Sequence, residues 1–164
     1  MVFLNSNPNS MKYSIKKANS SDIEDIYNLI MHYSRMGVIL KRSLKDIEEF
    51  IDDFLIAESN NGIVGVVSFF NYGESLKEIR SLAVKGDLTR TGIGSALIMA
   101  LVKLLLNDFP GAKIFVLTYS VNLFKKNGFI EISKDSLPEK IWKDCQNCKY
   151  EYNCGEIALL FPHS

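Results

Sequence analysis

The chain has 164 residues, enough for one domain with a real core and too few for two of ordinary size. It is 47% hydrophobic and 23% charged, and Lys+Arg and Asp+Glu both number 19, so the basic excess of a nucleic-acid-wrapping or membrane-surface protein is missing. The longest apolar run, Ile93 to Leu106, is broken by Lys103 and is too short to span a bilayer, so neither nucleic acid nor membrane is expected as a partner.

Residues 1–10 (MVFLNSNPNS) lack the charged start and apolar block of a signal peptide and read as a loose polar tail ahead of one domain over 11–164. Three cysteines in such a chain are expected as reduced thiols of a cytoplasmic protein. Lys12 to Lys17 alternates weakly, as a first strand does. Asn19 to Asp22 then offers capping side chains to a helix whose Ile23, Ile26, Tyr27, Ile30 and Met31 share one face. Ser43 can cap a second helix over LKDIEEFIDDF, with Leu44, Ile47, Phe50, Ile51 and Phe54 at helical intervals.

Three strands follow, Phe54 to Glu58, Ile63 to Phe70 and Leu76 to Val84, joined by turns at Asn60-Asn61-Gly62 and Asn71-Tyr72-Gly73-Glu74 as an antiparallel meander. Lys85 to Thr91 is polar, and Gly92 to Asn107 is a long helix, apolar on most faces. After Phe109-Pro110-Gly111 come a buried strand (Ala112 to Thr118), a short helix (Ser120 to Asn127) and a strand (Phe129 to Ile132). Helices, meander and strand-loop-helix-strand crossover imply an α/β fold, a mixed and mostly antiparallel sheet covered by helices.

The sharpest feature is the strand ending Leu82-Ala83-Val84, the turn Thr89-Arg90-Thr91-Gly92-Ile93-Gly94-Ser95, and the helix it opens. Such a turn presents unpaired backbone N–H groups at the positive end of a helix dipole, which suits a pyrophosphate. Gly92 and Gly94 remove the Cβ atoms that would obstruct that approach, and Arg90 adds charge at the rim. The turn lacks the Gly-Lys-Ser/Thr of a Walker loop and the third glycine of a dinucleotide fingerprint.

Glu78 to Val84 (EIRSLAV), followed by Gly92 to Leu97 (GIGSAL), resembles the signature of GNAT acetyltransferases, and Leu123 to Phe129 resembles their helix-to-strand segment. The resemblance runs from about Tyr13 to Phe161 and implies an acetyl-coenzyme A-dependent N-acetyltransferase. It implies that Leu82, Ala83 and Val84 pair with pantetheine at a bulge and that Thr89 to Ser95 hold the pyrophosphate. It places Phe124 where the family often carries the tyrosine that protonates the departing thiolate, and Thr89 where the loop usually opens with Gln or Arg. Glu78 falls where several such enzymes keep a general base, and Tyr119 is the remaining candidate acid.

A narrower resemblance, to the acetyltransferase domain of bacterial N-acetylglutamate synthases, rests on Gly37 to Ser43 (GVILKRS), Phe115 to Thr118 and Leu137-Pro138-Glu139. It implies a small amine acceptor, an amino acid with glutamate first, whose carboxylate meets Arg42. Arg42, Glu78, Arg80 and Thr118 form the expected acceptor set. That family's C-terminal Arg and Ser are replaced here by Tyr152-Asn153-Cys154-Gly155. The alternatives are a protein lysine or N-terminal acetyltransferase, which needs an open groove, and a non-catalytic acyl-coenzyme A sensor. Cys145, Cys148 and Cys154 sit in a C-terminal lobe, about 134–164, and are expected as packed thiols. Zinc on these three, with His163 as a fourth ligand, is the alternative. An exposed meander edge is compatible with a homodimer.

Overall fold

The computed structural model describes residues 3–4, 12–137 and 155–162. In chain order the elements are β1 (Phe3–Leu4), β2 (Tyr13–Lys17), α1 (Ile23–Arg35), α2 (Leu44–Glu49), β3 (Phe54–Ser59), β4 (Gly62–Asn71), β5 (Leu76–Val84), α3 (Ile93–Asp108), β6 (Lys113–Thr118), α4 (Val121–Lys126), β7 (Ile130–Ile132) and β8 (Ile157–Phe161). The strands form one sheet in the order β1-β2-β3-β4-β5-β6-β8-β7. Every neighbouring pair is antiparallel except β5 and β6. No helix among the described residues is long and apolar enough to cross a membrane.

Local chemistry accounts for most boundaries. Asn19 and Asp22 form a capping box, Asn19 Oδ1 accepting from the Ser21 N–H at 3.0 Å and Asp22 Oδ2 accepting from the Asn19 N–H at 2.9 Å. Ser43 Oγ accepts from the Asp46 N–H at 3.0 Å and starts α2. The helix expected through Phe54 stops at Glu49: a tight turn over Ile51–Asp53 intervenes, and Phe54 opens β3 with its side chain fully buried. Burying Phe54 between the sheet and α1 outweighs the helical periodicity of the preceding residues.

The sheet has a core on each face. Val67, Phe69 and Ile79 face α3, whose Ile93, Leu97, Leu101 and Leu105 are fully buried. Val66 and Ala83 face Ile26 and Ile30 of α1 and Ile47 of α2. Two stretches of the chain differ from expectation. Within the tail, Phe3–Leu4 pairs with Ser14 and Ile15 of β2. The segment read as a C-terminal lobe supplies β8, which runs between β6 and β7 inside the sheet.

Candidate active site

Two departures from regular pairing create the site. The first is a bulge in β5. Val66 pairs with Ala83 and Ser68 with Arg80, so Val67 alone opposes both Ser81 and Leu82. Ser81 has φ 56°, the left-handed conformation that non-glycine residues seldom adopt. The extra residue reverses the alternation, which is how Glu78, Arg80 and Ala83 come to share the face toward α1 and α2.

The second departure is a fork. β5 and β6 are paired from Leu76 with Lys113 to Ile79 with Val116, and no further. Among the described residues, the edge of β5 beyond Ile79 runs without a partner strand beside a cavity of about 720 Å³. Residues of β5, β6, α4, the 38–42 segment and the loop before α3 line it. Among the described residues its lining holds six basic side chains (Lys41, Arg42, Arg80, Arg90, Lys126, Lys134) against three acidic ones (Asp46, Glu78, Glu156). A chain of zero net charge thus concentrates positive charge here, as a polyanionic ligand requires.

At one end of the cavity, Gly92 is left-handed at φ 87° and carries no capping side chain. Its carbonyl accepts the first helical hydrogen bond, from Ala96 at 3.0 Å, so the N–H groups opening α3 have no helical partner. An added Cβ at Gly92 would meet nothing within 4 Å, and at Gly94 only Leu123 at 3.5 Å and Val84 at 3.8 Å, ordinary contacts. The fold therefore needs glycine at 92 for its backbone conformation, whereas at 94 it does not. A diphosphate seated on these amides, with its amide-bearing arm along the unpaired β5 edge, fits the donors present. Tyr33 secures that edge by donating its hydroxyl to the Val84 carbonyl. Burial, with the Asp87 charge second, holds this hydroxyl above its ordinary 10.0.

At the other end, Arg42 enters from the segment ahead of α2. Its Nε donates to Asp46 Oδ2 at 2.5 Å, and its Nη1 donates to Ser68 Oγ at 3.0 Å and Ser81 Oγ at 3.3 Å. The guanidinium lies 4.8 Å from the centre of the Phe54 ring. Ser68, fully buried, donates in turn to the Arg80 carbonyl at 3.3 Å, so one guanidinium ties α2, β4 and the bulge together. Arg80 Nε donates to Glu78 Oε1, and Arg80 Nη2 donates to the Tyr72 hydroxyl at 2.8 Å.

Arg42, Glu78, Arg80, Leu82, Ala83, Val84, Thr89, Arg90, Gly92, Gly94, Ser95, Thr118 and Phe124 all line this cavity. Thr91 and Ile93 do not: Thr91 Oγ1 donates to the Leu88 carbonyl at 2.6 Å, and the Ile93 side chain is fully buried under the sheet. Tyr119, expected as a proton donor, is 46% exposed and also outside the lining, its ring beside Gly155. Thr118 lines the cavity as the last residue of β6, and Tyr119 lies in the bend just beyond the strand. Cys145, Cys148, Cys154 and His163 lie outside the described residues, as do Pro138, Glu139, Tyr152 and Asn153. Among the described residues no group of three His, Cys, Asp or Glu could hold a metal. Sequence reasoning missed Asp46, Ser68 and Tyr72. Ser68 had a signal, as the one hydroxyl inside the apolar run IVGVVSFF.

The family model described as the acetyltransferase (GNAT) family matches residues 23–129. An uncharacterized N-acetyltransferase of Chlorobaculum tepidum is 36% identical over 146 residues, 89% of this chain and 94% of that protein. The amino-acid acetyltransferase of Vibrio vulnificus is 32% identical over 150 residues, 90% of this chain, and the match spans only 32% of that longer protein. Among solved structures, N-acetylglutamate synthase from Neisseria gonorrhoeae, complexed with coenzyme A and N-acetyl-glutamate, superposes with a TM-score of 0.81 at 26% identity, covering 92% of this chain and 35% of that one.

Proposed function

This chain belongs to the acetyltransferase (GNAT) family and is an acetyl-coenzyme A-dependent N-acetyltransferase; from that premise we propose that its acceptor is an amino acid, glutamate first. The observation that carries the acceptor reading is the charge pattern on one face of β4 and β5. Arg42 and Arg80 supply two guanidinium groups and Glu78 one carboxylate, all lining one cavity. An acidic amino acid carries the complement, two carboxylates and one ammonium. The amino-acid acetyltransferases and the N-acetylglutamate synthase among its relatives support the same reading.

In this reading the N–H groups of Gly92, Gly94 and Ser95 hold the diphosphate, with Arg90 beside them. The unpaired β5 edge aligns the pantetheine arm, and the Leu82 N–H at the bulge faces the thioester oxygen. Acetyl-coenzyme A supplies an activated acetyl group: a C–N bond forms at its acetyl carbon as the C–S bond breaks, the electron pair leaves on sulfur, and the proton that the attacking amine still sheds ends on that thiolate through solvent. Glu78 takes a proton from the acceptor ammonium, directly or through water, and Arg42 holds a carboxylate of the acceptor. Phe124 cannot return a proton to the sulfur; Thr118 and Ser120, which carry hydroxyls, line the same cavity. The 38–41 segment, which leads into Arg42, lines the same cavity, and a wall there favours a small acceptor over a protein chain.

The test is coenzyme A release against a panel of amino acids and a lysine-bearing peptide. Turnover is expected with glutamate, and Arg42→Ala should lower kcat/KM for it by about tenfold or more, the loss of a charge-assisted hydrogen bond. Glu78→Gln should lower kcat. Turnover on the peptide alone, or on no amine despite coenzyme binding, overturns the acceptor reading.

A further inference from the structure

Glu78 and Arg80 stand two residues apart on β5, so their side chains leave the same face of the sheet. Opposite them on β4 are Phe70 and Ser68. The Arg80 guanidinium lies 4.3 Å from the centre of the Phe70 ring, its Nη2 is held by the Tyr72 hydroxyl, and its Nε is committed to Glu78 Oε1. The Glu78 side chain is only 6% exposed, and that of Arg80 27%. The group assigned as base is therefore nearly buried and answered by a cation whose outer part reaches the cavity.

That arrangement conflicts with a base that is simply waiting. A carboxylate bonded to a guanidinium has part of its charge and one oxygen already engaged, and burial makes the pairing hard to give up without a replacement. A planar guanidinium can accept a replacement: it binds a carboxylate along one edge in a fork. Arg42, in the same row through Ser68, is a second carboxylate partner, so an acidic acceptor can occupy both.

We propose that Arg80 makes the base conditional on the acceptor: it holds Glu78 until the acceptor's second carboxylate engages the guanidinium, which releases Glu78 to take the ammonium proton. The proton moves from the acceptor nitrogen to a Glu78 carboxylate oxygen, and the neutral amine keeps its lone pair for attack. The inference rests on the amino-acid reading above. It adds that a side-chain carboxylate is required for turnover as well as for binding. Acceptors that satisfy Arg42 alone leave Glu78 paired and react slowly once bound.

The test compares kcat and KM for glutamate and for glutamine, which differ in that one charge, in the wild type, Arg80→Gln and Arg80→Lys. In the wild type, kcat for glutamine should be below that for glutamate by about tenfold or more. In Arg80→Gln, kcat/KM for glutamate should fall by about tenfold or more while kcat for glutamine rises, so the preference collapses. Structural damage lowers both and cannot produce that gain. Arg80→Lys keeps the charge without the fork, and its glutamate-to-glutamine ratio should fall by less. If Arg80→Gln does not fold, that ratio in Arg80→Lys decides alone. Parallel losses on both acceptors with the ratio unchanged overturn the proposal. So does a wild type with equal kcat on the two acceptors, which leaves the amino-acid reading standing. A wild type that acetylates no amino acid overturns both.

Discussion

Gly65 sits in the middle of β4, opposite Val84, on the face that meets α3. A Cβ built there would lie 2.9 Å from Leu97 Cδ1 and 3.0 Å from Ile93 Cγ2, and both side chains are fully buried. Ordinary carbon contacts are about 3.5–4.0 Å, so Gly65→Ala requires the first two turns of α3 to lift by roughly 0.5–1 Å. Ile93 is β-branched and stiff, which leaves little room for a rotamer change instead. Overpacking of this kind costs about 1–3 kcal/mol, which for a chain of this size lowers Tm by about 2–12 °C. The same lift moves the amides that open α3, so KM for acetyl-coenzyme A should rise roughly fivefold, about the worth of one hydrogen bond. The acceptor set stands on the opposite face, so KM for the amino acid should hold. Thermal melts and steady-state kinetics with each substrate varied in turn read all three quantities. An unchanged Tm would refute the packing argument. A rise confined to the acceptor KM would refute the assignment of the two ends of the cavity.

Gly94→Ala should separate the needs of the ligand from those of the fold. Its Cβ meets only ordinary contacts, so replacing a helical glycine should stabilise by about 0.5–1 kcal/mol while weakening acetyl-coenzyme A binding; stabilisation with unaltered coenzyme KM would remove the diphosphate from this turn. Lys77 offers a test in pH. Its side chain is fully buried, its ammonium bonds Asn71 Oδ1 at 2.5 Å and lies 3.8 Å from the Phe109 ring centre, and burial pulls its proton affinity below the usual 10.5. Between that lowered value and 10.5 the unfolded chain binds more protons, so stability rises with pH through the window. Denaturant melts should therefore show wild type gaining on Lys77→Met as pH approaches 10.5, and a constant difference would contradict the burial argument.

Features carried by neighbouring residues were legible in the sequence. Asn60-Asn61 turns β3 into β4, with Ser59 and Gly62 paired across it; Asn19 and Ser43 cap where their side chains suggest; and α3 spans the apolar run after Gly92. Features that depend on distant pairing were not legible. Nothing local to Ile157–Phe161 says that it enters between β6 and β7, and nothing local to Ser81 says that φ turns positive. The end of α2 was misread because Phe50, Ile51 and Phe54 keep helical spacing while tertiary burial claims Phe54 for a strand. In the site, the loop glycines, the resemblance and Arg42 pointed to residues that the structure brings to one cavity. The Glu78–Arg80 contact follows from two-residue strand spacing, but only the register of β4 brings Phe70 beneath it.

The fork between β5 and β6 has a mechanical consequence. The sheet is two slabs, β1 to β5 and β6 to β8, joined along the strand direction by only four residue pairs. Arg42, Glu78 and Arg80 ride on the larger slab, while Thr118 and Phe124 belong to the smaller slab and the helix packed on it. On the proposed reading, a coenzyme arm laid in the gap would touch both and act as a cross-tie, restoring the stiffness a full ladder would have supplied. The molecule thus trades rigidity along one seam for a slot, which a coenzyme bound as proposed would close.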